Sequence, residues 1–340
     1  MKFFKGTFFL VLLIIVGLGG IFYLSLLFID HFYARSNSNV VYGVSFSPEY
    51  ARYLELDSRK VFTTILDEWK FRYLRFSAQW DSVEPTAGKF DFSELDWLMN
   101  EAAHRQAKVI LTIGQKTPRW PECHLPKWAQ ELSVADYRTA LPRYLATVVE
   151  RYKNHPALEV WQVENEPFLP FGITCPNFNS ELLSQELTLV KQLDPHHSTL
   201  VTDSGELSTW RKTAQAADLF GTTMYRIVWN KYIGYWSYNW IPAQFYRLKL
   251  WLTGRNPLQA YVVELQGEPW LPDKHITEIP LAEQYKSMNA QQLEKNVAYA
   301  RMVGLPRAYL WGAEWWYWLR ERGEPALSNF ITTLNITQAH

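Results

Sequence analysis

Two glutamates, Glu166 and Glu264, stand where a carboxylate could do acid–base or nucleophilic chemistry. Glu166 belongs to the string Trp161-Gln162-Val163-Glu164-Asn165-Glu166-Pro167. A β-branched, aromatic run, LEVWQV, stops there at three polar residues and a proline. Proline cannot continue a sheet ladder and biases the residue before it toward an extended conformation. Glu166 is therefore expected, extended, at the end of a buried strand with its carboxylate aimed beyond it. Glu264, in YVVELQGEPW, ends a second apolar run. Carboxylates held rigidly at the rim of a cavity suit proton transfer. A pair about 5–5.5 Å apart suits retaining glycoside hydrolysis, and one about 6.5–9.5 Å apart leaves room for the water of inversion.

The elements that must position this pair follow from periodicity. Short β-rich runs at 41–46, 73–76, 109–113, 160–163, 199–202, 219–224, 260–264 and 308–311 read as strands. Amphipathic stretches at 59–69, 94–104, 135–152, 181–193, 243–252 and 283–302 read as helices, with Ser93 as the cap of the second. Alternating β and α elements imply a parallel sheet with helical crossovers. Eight continuously apolar strands predict a closed (β/α)8 TIM barrel, typically about 250 residues. An open doubly wound sheet is the alternative, but the Gly-rich first turn of a nucleotide fold is absent. In a barrel, Glu166 and Glu264 would end the fourth and seventh strands and converge across the mouth. Arg75, Gln79-Trp80, Gln115, Arg119-Trp120, Tyr225-Arg226, Gln266, Trp311 and Glu314 would share that face.

The chain has 340 residues and 34 acidic against 34 basic side chains, so no basic surplus points to nucleic acid. Residues 7–29 carry no charged side chain, which is long enough to span about 30 Å of hydrocarbon. The expected organisation is a cytoplasmic N-terminus over 1–6, a transmembrane anchor over 7–29, a tether over 30–39 and a catalytic domain over 40–340. Lys2 and Lys5 place the N-terminus inside and the domain outside the cytoplasm, at the cell surface or in the periplasm. A cleaved signal is the alternative, but the run is long and lacks a clear cleavage site. Cys123 and Cys175 fall in the loops after neighbouring strands three and four. Either a disulfide pins those loops or two free thiols occupy them.

The segment RFSAQWDSVEPTAGKFDFSELDWLMNEAAHRQAKVILTIG, the triplet Asn165-Glu166-Pro167 and Glu264 about a hundred residues later together resemble glycoside hydrolases of clan A. That clan comprises (β/α)8 retaining enzymes and includes families 5, 35, 39 and 42. The resemblance implies that Glu166 is the general acid/base and Glu264 the nucleophile. It implies that Asn165 binds the sugar 2-hydroxyl and that Arg75 keeps the nucleophile ionised. It likewise makes Tyr225 a contact of the nucleophile and Trp311 the floor of the innermost sugar subsite. The chain departs from the pattern at Thr223, two residues before Tyr225, where no histidine stands.

Trp80 and Trp120 are further candidates for sugar stacking, in a chain with 16 Trp and 19 Tyr. Glu268 also precedes a proline; it is either a rival to Glu264 or a residue of an outer subsite. Glu164 is expected to be structural. The cluster Trp229, Tyr232, Trp236 and Trp240 is a sugar platform or a membrane-facing loop. Glu122-Cys123-His124 matches no common metal spacing, so neither metal nor cofactor is expected. The reading is a membrane-anchored retaining β-glycosidase acting on an oligo- or polysaccharide. A transglycosylase remodelling cell-surface polysaccharide and a non-catalytic carbohydrate-binding barrel are the alternatives.

Overall fold

A computed structural model describes residues 2–33, 39–176, 178–272 and 275–336. The barrel strands are β1 (Val41–Ser45), β2 (Tyr73–Ser77), β3 (Lys108–Ile113), β4 (Leu158–Val163), β5 (Ser198–Asp203) and β6 (Leu219–Met224). A hairpin, β7 (Ile227–Asn230) and β8 (Gly234–Ser237), follows before β9 (Ala260–Gln266) and β10 (Arg307–Trp311) complete the barrel. The closed parallel order is β1-β10-β9-β6-β5-β4-β3-β2. The eight strand positions read from the sequence are thus the eight staves of a (β/α)8 barrel.

Strand pairing shows how the site acquires its floor. Side chains alternate along a strand with a period of two. Tyr73, Val160 and Leu200 belong to a buried apolar cluster with Ile110, Val263 and Tyr309. Two residues further along the same strands come Arg75, Gln162 and Thr202, all buried and polar. An apolar layer therefore supports a polar layer at the carboxyl ends of the strands, the end where barrels of this kind place their sites.

The helices differ from expectation in three places. Phe92, not Ser93, is the N-cap of helix Ser93–His104: Ser93 is itself the first helical residue, and its amide donates to Asp91 Oδ1 at 2.9 Å. The single helix read over 283–302 is two, Leu281–Gln284 and Ala290–Val303, with Asn289 accepting from the Gln292 amide to start the second. No helix lies between β5 and β6; turns fill 204–218.

An apolar helix runs over Lys2–Tyr33, and its segment Leu12–His31 is long and apolar enough to cross a membrane. Its last turns are packed on the barrel domain. Tyr23 donates to the Trp240 carbonyl at 2.7 Å. Asp30 accepts from the amides of Ala243 (2.7 Å) and Gln244 (2.9 Å), where helix Gln244–Leu252 begins. A carboxylate there complements the positive helix end. Residues 30–33, expected in a tether, are helical; 34–38 of that expected tether lie outside the described residues.

Cys123 and Cys175 are disulfide-bonded, with Cα atoms 5.3 Å apart, closing a loop of 52 residues that contains β4. The bridge ties the loop after β3 to the loop after β4. Replacing both cysteines by serine should lower unfolding stability by about 2–4 kcal/mol. Denaturant melts of the two forms check this; an unchanged midpoint would remove the bridge from any role in stability.

Candidate active site

Arg75 is the centre of the polar layer. Its side chain is 1% exposed and extends from β2 toward β4 and β9. Nε donates to Gln162 Oε1 (2.8 Å), one terminal nitrogen to Glu264 Oε1 (2.9 Å) and the other to Asn165 Oδ1 (2.8 Å). Burial of an ion pair is tolerated only with such complete hydrogen bonding. Tyr225 donates its hydroxyl to the second oxygen of Glu264 at 2.9 Å. Glu264 is therefore held by a cation on one oxygen and a neutral donor on the other.

Asn165 is oriented by three donors on one atom. Its Oδ1 accepts from Arg75, from Gln162 Nε2 (3.2 Å) and from Thr202 Oγ1 (3.1 Å). This fixes the amide, so that Nδ2 faces Glu122 Oε2 at 3.2 Å. Glu122 comes from the loop after β3 and is itself buried. Burial, then the charge of Glu264, push its carboxyl up to about 7.

Glu166 sits in a different environment. Its amide donates to Thr202 Oγ1 at 2.8 Å, and its Oε1 accepts from the Thr223 hydroxyl at 3.1 Å. No cation pairs with its carboxylate among the described residues; the Lys116 ammonium bonds instead to the carbonyls of Glu166 (3.0 Å) and Leu169 (2.9 Å). Burial first, then the nearby charges of Glu264 and Glu122, raise its pKa well above the usual carboxylate range. One backbone expectation fails here: Glu166 has φ 41°, in the left-handed region rather than extended, despite the following proline. Its hydrogen bonds to Thr202 and Lys116 hold that turn.

Glu164, also left-handed at φ 63°, accepts from the amides of Gln115 and Lys116, both at 2.8 Å. It braces the turn after β3 and faces away from the Glu166 and Glu264 carboxylates. Gly114 is required opposite it, since a Cβ there would fall 2.4 Å from Glu164 Oε1.

The remaining candidates separate into two groups. Trp80 is not at the mouth: it is fully buried, stacked on Tyr144 at 5.2 Å between ring centres, and its indole donates to Glu84 at 2.9 Å. It is core, because the short helix Trp80–Val83 turns its ring under the helix Val134–Tyr152. Trp120 is 71% exposed and meets Phe171 at the rim. Phe171 in turn packs on Trp270 (5.5 Å), which packs on Tyr225 (5.1 Å), an aromatic row joining the loops after β3, β4, β6 and β9. Trp311 donates its indole N–H to Glu268 Oε1 at 2.9 Å. Its ring carries the Arg119 guanidinium at 4.0 Å.

Glu122, Gln162, Thr202 and Thr223 escaped the sequence reading as site residues. Gln162 and Thr202 were signalled by parity, lying two residues beyond apolar strand positions. Glu122 had only its place beside Cys123, and no local pattern aims it at Asn165.

The raised pKa of Glu166 has a consequence for stability. A carboxyl whose folded pKa is raised favours folding while protonated, and loses that contribution as pH rises through the folded value. Glu166→Gln keeps the neutral shape without that loss. Its stability relative to wild type should therefore rise between pH 4 and pH 8. Thermal melts across this range test it; a constant difference would contradict the raised pKa.

The family model for "Glycosyl hydrolase family 10" matches residues 56–186. Beta-galactosidase BgaB of a Geobacillus strain is 28% identical over 106 residues, 26% of this chain and 16% of that protein. Endo-1,4-beta-xylanase 3 of Hypocrea jecorina is 30% identical over 115 residues, 34% of this chain and 31% of that protein. The chain thus spans less than a third of the length of these relatives. Among solved structures, xylanase 10B from Thermotoga petrophila, in complex with xylobiose, superposes with TM-score 0.55 at 16% identity, over 81% of this chain and 82% of that one. GH5_18 from Bifidobacterium longum gives 0.58 at 14% identity, over 81% and 70%. Family 10 lies outside the four families that the motifs resemble, yet family 5 and family 10 proteins share this barrel. Over residues 56–186 the chain is similar to glycosyl hydrolases of family 10, and it shares its (β/α)8 barrel with solved family 5 and family 10 proteins.

Proposed function

We propose that this protein is a membrane-anchored, extracytoplasmic β-glycosidase that hydrolyses O-glycosidic bonds with retention. The observation that carries the reading is the unlike holding of two neighbouring carboxylates: Glu264 bonded to Arg75 and Tyr225, Glu166 buried without an ion-pair partner among the described residues. Such a pair of environments separates a nucleophile from a proton donor.

In the first step Glu264 attacks the anomeric carbon, the carbon–oxygen bond to the leaving group breaks, and Glu166 gives its proton to the departing oxygen. In the second, water attacks the same carbon, returns a proton to Glu166 and frees Glu264. Charge then develops on the sugar ring, where the Glu264 carboxylate stabilises it. Asn165 Nδ2 can reach the hydroxyl beside the anomeric carbon. Arg75 fixes Glu264 and Asn165 in one geometry, which is the preorganisation such a step needs.

The aromatic row Trp120–Phe171–Trp270–Tyr225 supports a second reading, transglycosylation. An acceptor sugar could stack there as readily as a leaving group. Products formed at high acceptor concentration separate transfer from hydrolysis.

The apolar run Leu12–His31 supports anchoring, and Lys2 and Lys5 before it support an outward-facing barrel. Carbonate washing of membranes should leave the full chain in the pellet; release into the supernatant would remove the anchor from the proposal.

Hydrolysis of a panel of aryl β-glycosides tests the activity. Glu264→Ala and Glu166→Ala should each lower kcat/KM by roughly 10²–10⁴-fold. Azide should rescue the Glu264 variant with an inverted glycosyl azide and the Glu166 variant with a retained one. Undiminished turnover in either alanine variant would refute the assignment.

A further inference from the structure

Arg119 closes one end of the mouth. It leaves the loop after β3 at φ 87° and reaches across the strand ends to β10. Its guanidinium lies between two rings, 3.8 Å from the centre of Tyr50 and 4.0 Å from that of Trp311. It pairs with Glu268 in the loop after β9 and with Glu314 Oε2 at 3.0 Å. Glu314 in turn accepts from the Ser47 amide at 2.5 Å, and Glu268 from the Trp311 indole. Elements following β1, β3, β9 and β10 are thus tied together by one side chain. Beneath it remains a cavity of about 10 Å³ lined by Ser47, Arg75, Gln79, Arg119 and Trp311, room for one water at most.

The place of this closure relative to the proton donor gives it meaning. In the barrel order, three strands separate β10 from β4 in either direction, so Trp311 lies diametrically opposite the end of β4 that carries Glu166. A general acid stands on the leaving-group side of the scissile bond. The space over Trp311 is therefore the glycone end, and there Arg119 leaves no room for a second ring.

Resting on the glycosidase reading, we propose that Arg119 limits the glycone side to a single sugar and makes the enzyme exo-acting. Two buried atoms of the closure, Arg119 Nε and Glu268 Oε2, have no hydrogen-bond partner among the described residues. Buried donors and acceptors are normally satisfied. An unpartnered donor and an unpartnered acceptor on two ion-paired side chains suit a free hydroxyl. A terminal sugar has one where an internal sugar carries its next linkage. The same closure that excludes a second ring thus offers bonds to the end of a chain.

The test uses the full-length protein with p-nitrophenyl β-monoglycosides of glucose, galactose, xylose, mannose and N-acetylglucosamine, and the β-1,4-linked diglycosides of each. Wild type should release monosaccharide from the diglycosides first, with nitrophenol following after a lag. Immediate nitrophenol with intact disaccharide would overturn the proposal while leaving the glycosidase reading in place. No cleavage of any glycoside, long or short, would sink both. Arg119→Ala should raise the rate of intact disaccharide release about tenfold or more relative to monoglycoside cleavage. Arg119→Lys, which keeps the charge but loses the flat stacked fork, should fall between. If melts show the alanine variant unfolded, the wild-type product order and the lysine variant decide. A folded Arg119→Ala with an unchanged product order would refute the role of this residue.

Discussion

The buried guanidinium of Arg75 is the constraint from which the site is built. A charge at 1% exposure is sustained only if every donor finds an acceptor and an opposite charge lies in contact. Its partners come from β4, from the end of β4 and from β9, so the strands on either side of the barrel must close at one register to satisfy it. Barrel closure and alignment of Glu264 with Asn165 are consequently one event. The apolar layer of Tyr73, Val160 and Leu200 beneath prevents water from serving as a substitute partner.

Backbone strain is concentrated where the loops must turn side chains back over that centre. Arg119, Glu122, Glu164 and Glu166 all have positive φ, in two loops joined by a disulfide. Non-glycine residues hold such angles only when their surroundings over-determine them. Here the determination is visible: Glu164 accepts two backbone amides, Lys116 caps two carbonyls, and the Arg119 head is paired twice. Arg119, Glu122 and Glu166 thereby bring a guanidinium and two carboxylates to the mouth, and Glu164 braces the turn beneath them.

How far the sequence was legible follows from which features are local. Strands announce themselves by composition, and all eight were readable because each is buried on both faces. Glu166 could be placed because the end of an apolar strand beside polar residues and proline is a local signal, whereas Glu264, expected to end its strand, lies within β9, two residues before its end. The Arg75-to-Gly114 segment was readable as a motif but not in its roles. Its Glu84 accepts from the Trp80 indole, the Gly88 amide and Arg143, which makes it a brace, and Trp80 goes into the core with it. Ser93 is drawn into the helix as its first residue, its amide bonded to Asp91 Oδ1 two residues before it, so the cap falls on Phe92. What remained illegible is what depends on loops crossing the mouth: Glu122 on Asn165, and Arg119 on Trp311.

The distribution of the family match sharpens where specificity resides. Residues 56–186 include Arg75, Arg119, Asn165 and Glu166, but the match ends before Tyr225, Glu264, Glu268 and Trp311. The likeness therefore covers Glu166 and the arginine that bridges the mouth. Glu264 and the side chains that receive the Arg119 guanidinium lie outside it. A sugar preference carried over from a xylanase or a β-galactosidase would rest on a segment that lacks Glu264 and those side chains. In this chain the mouth is bridged by Arg119, stacked between Tyr50 and Trp311. Such contacts between the loops after β1, β3, β9 and β10 are ones that the shared barrel permits and does not dictate.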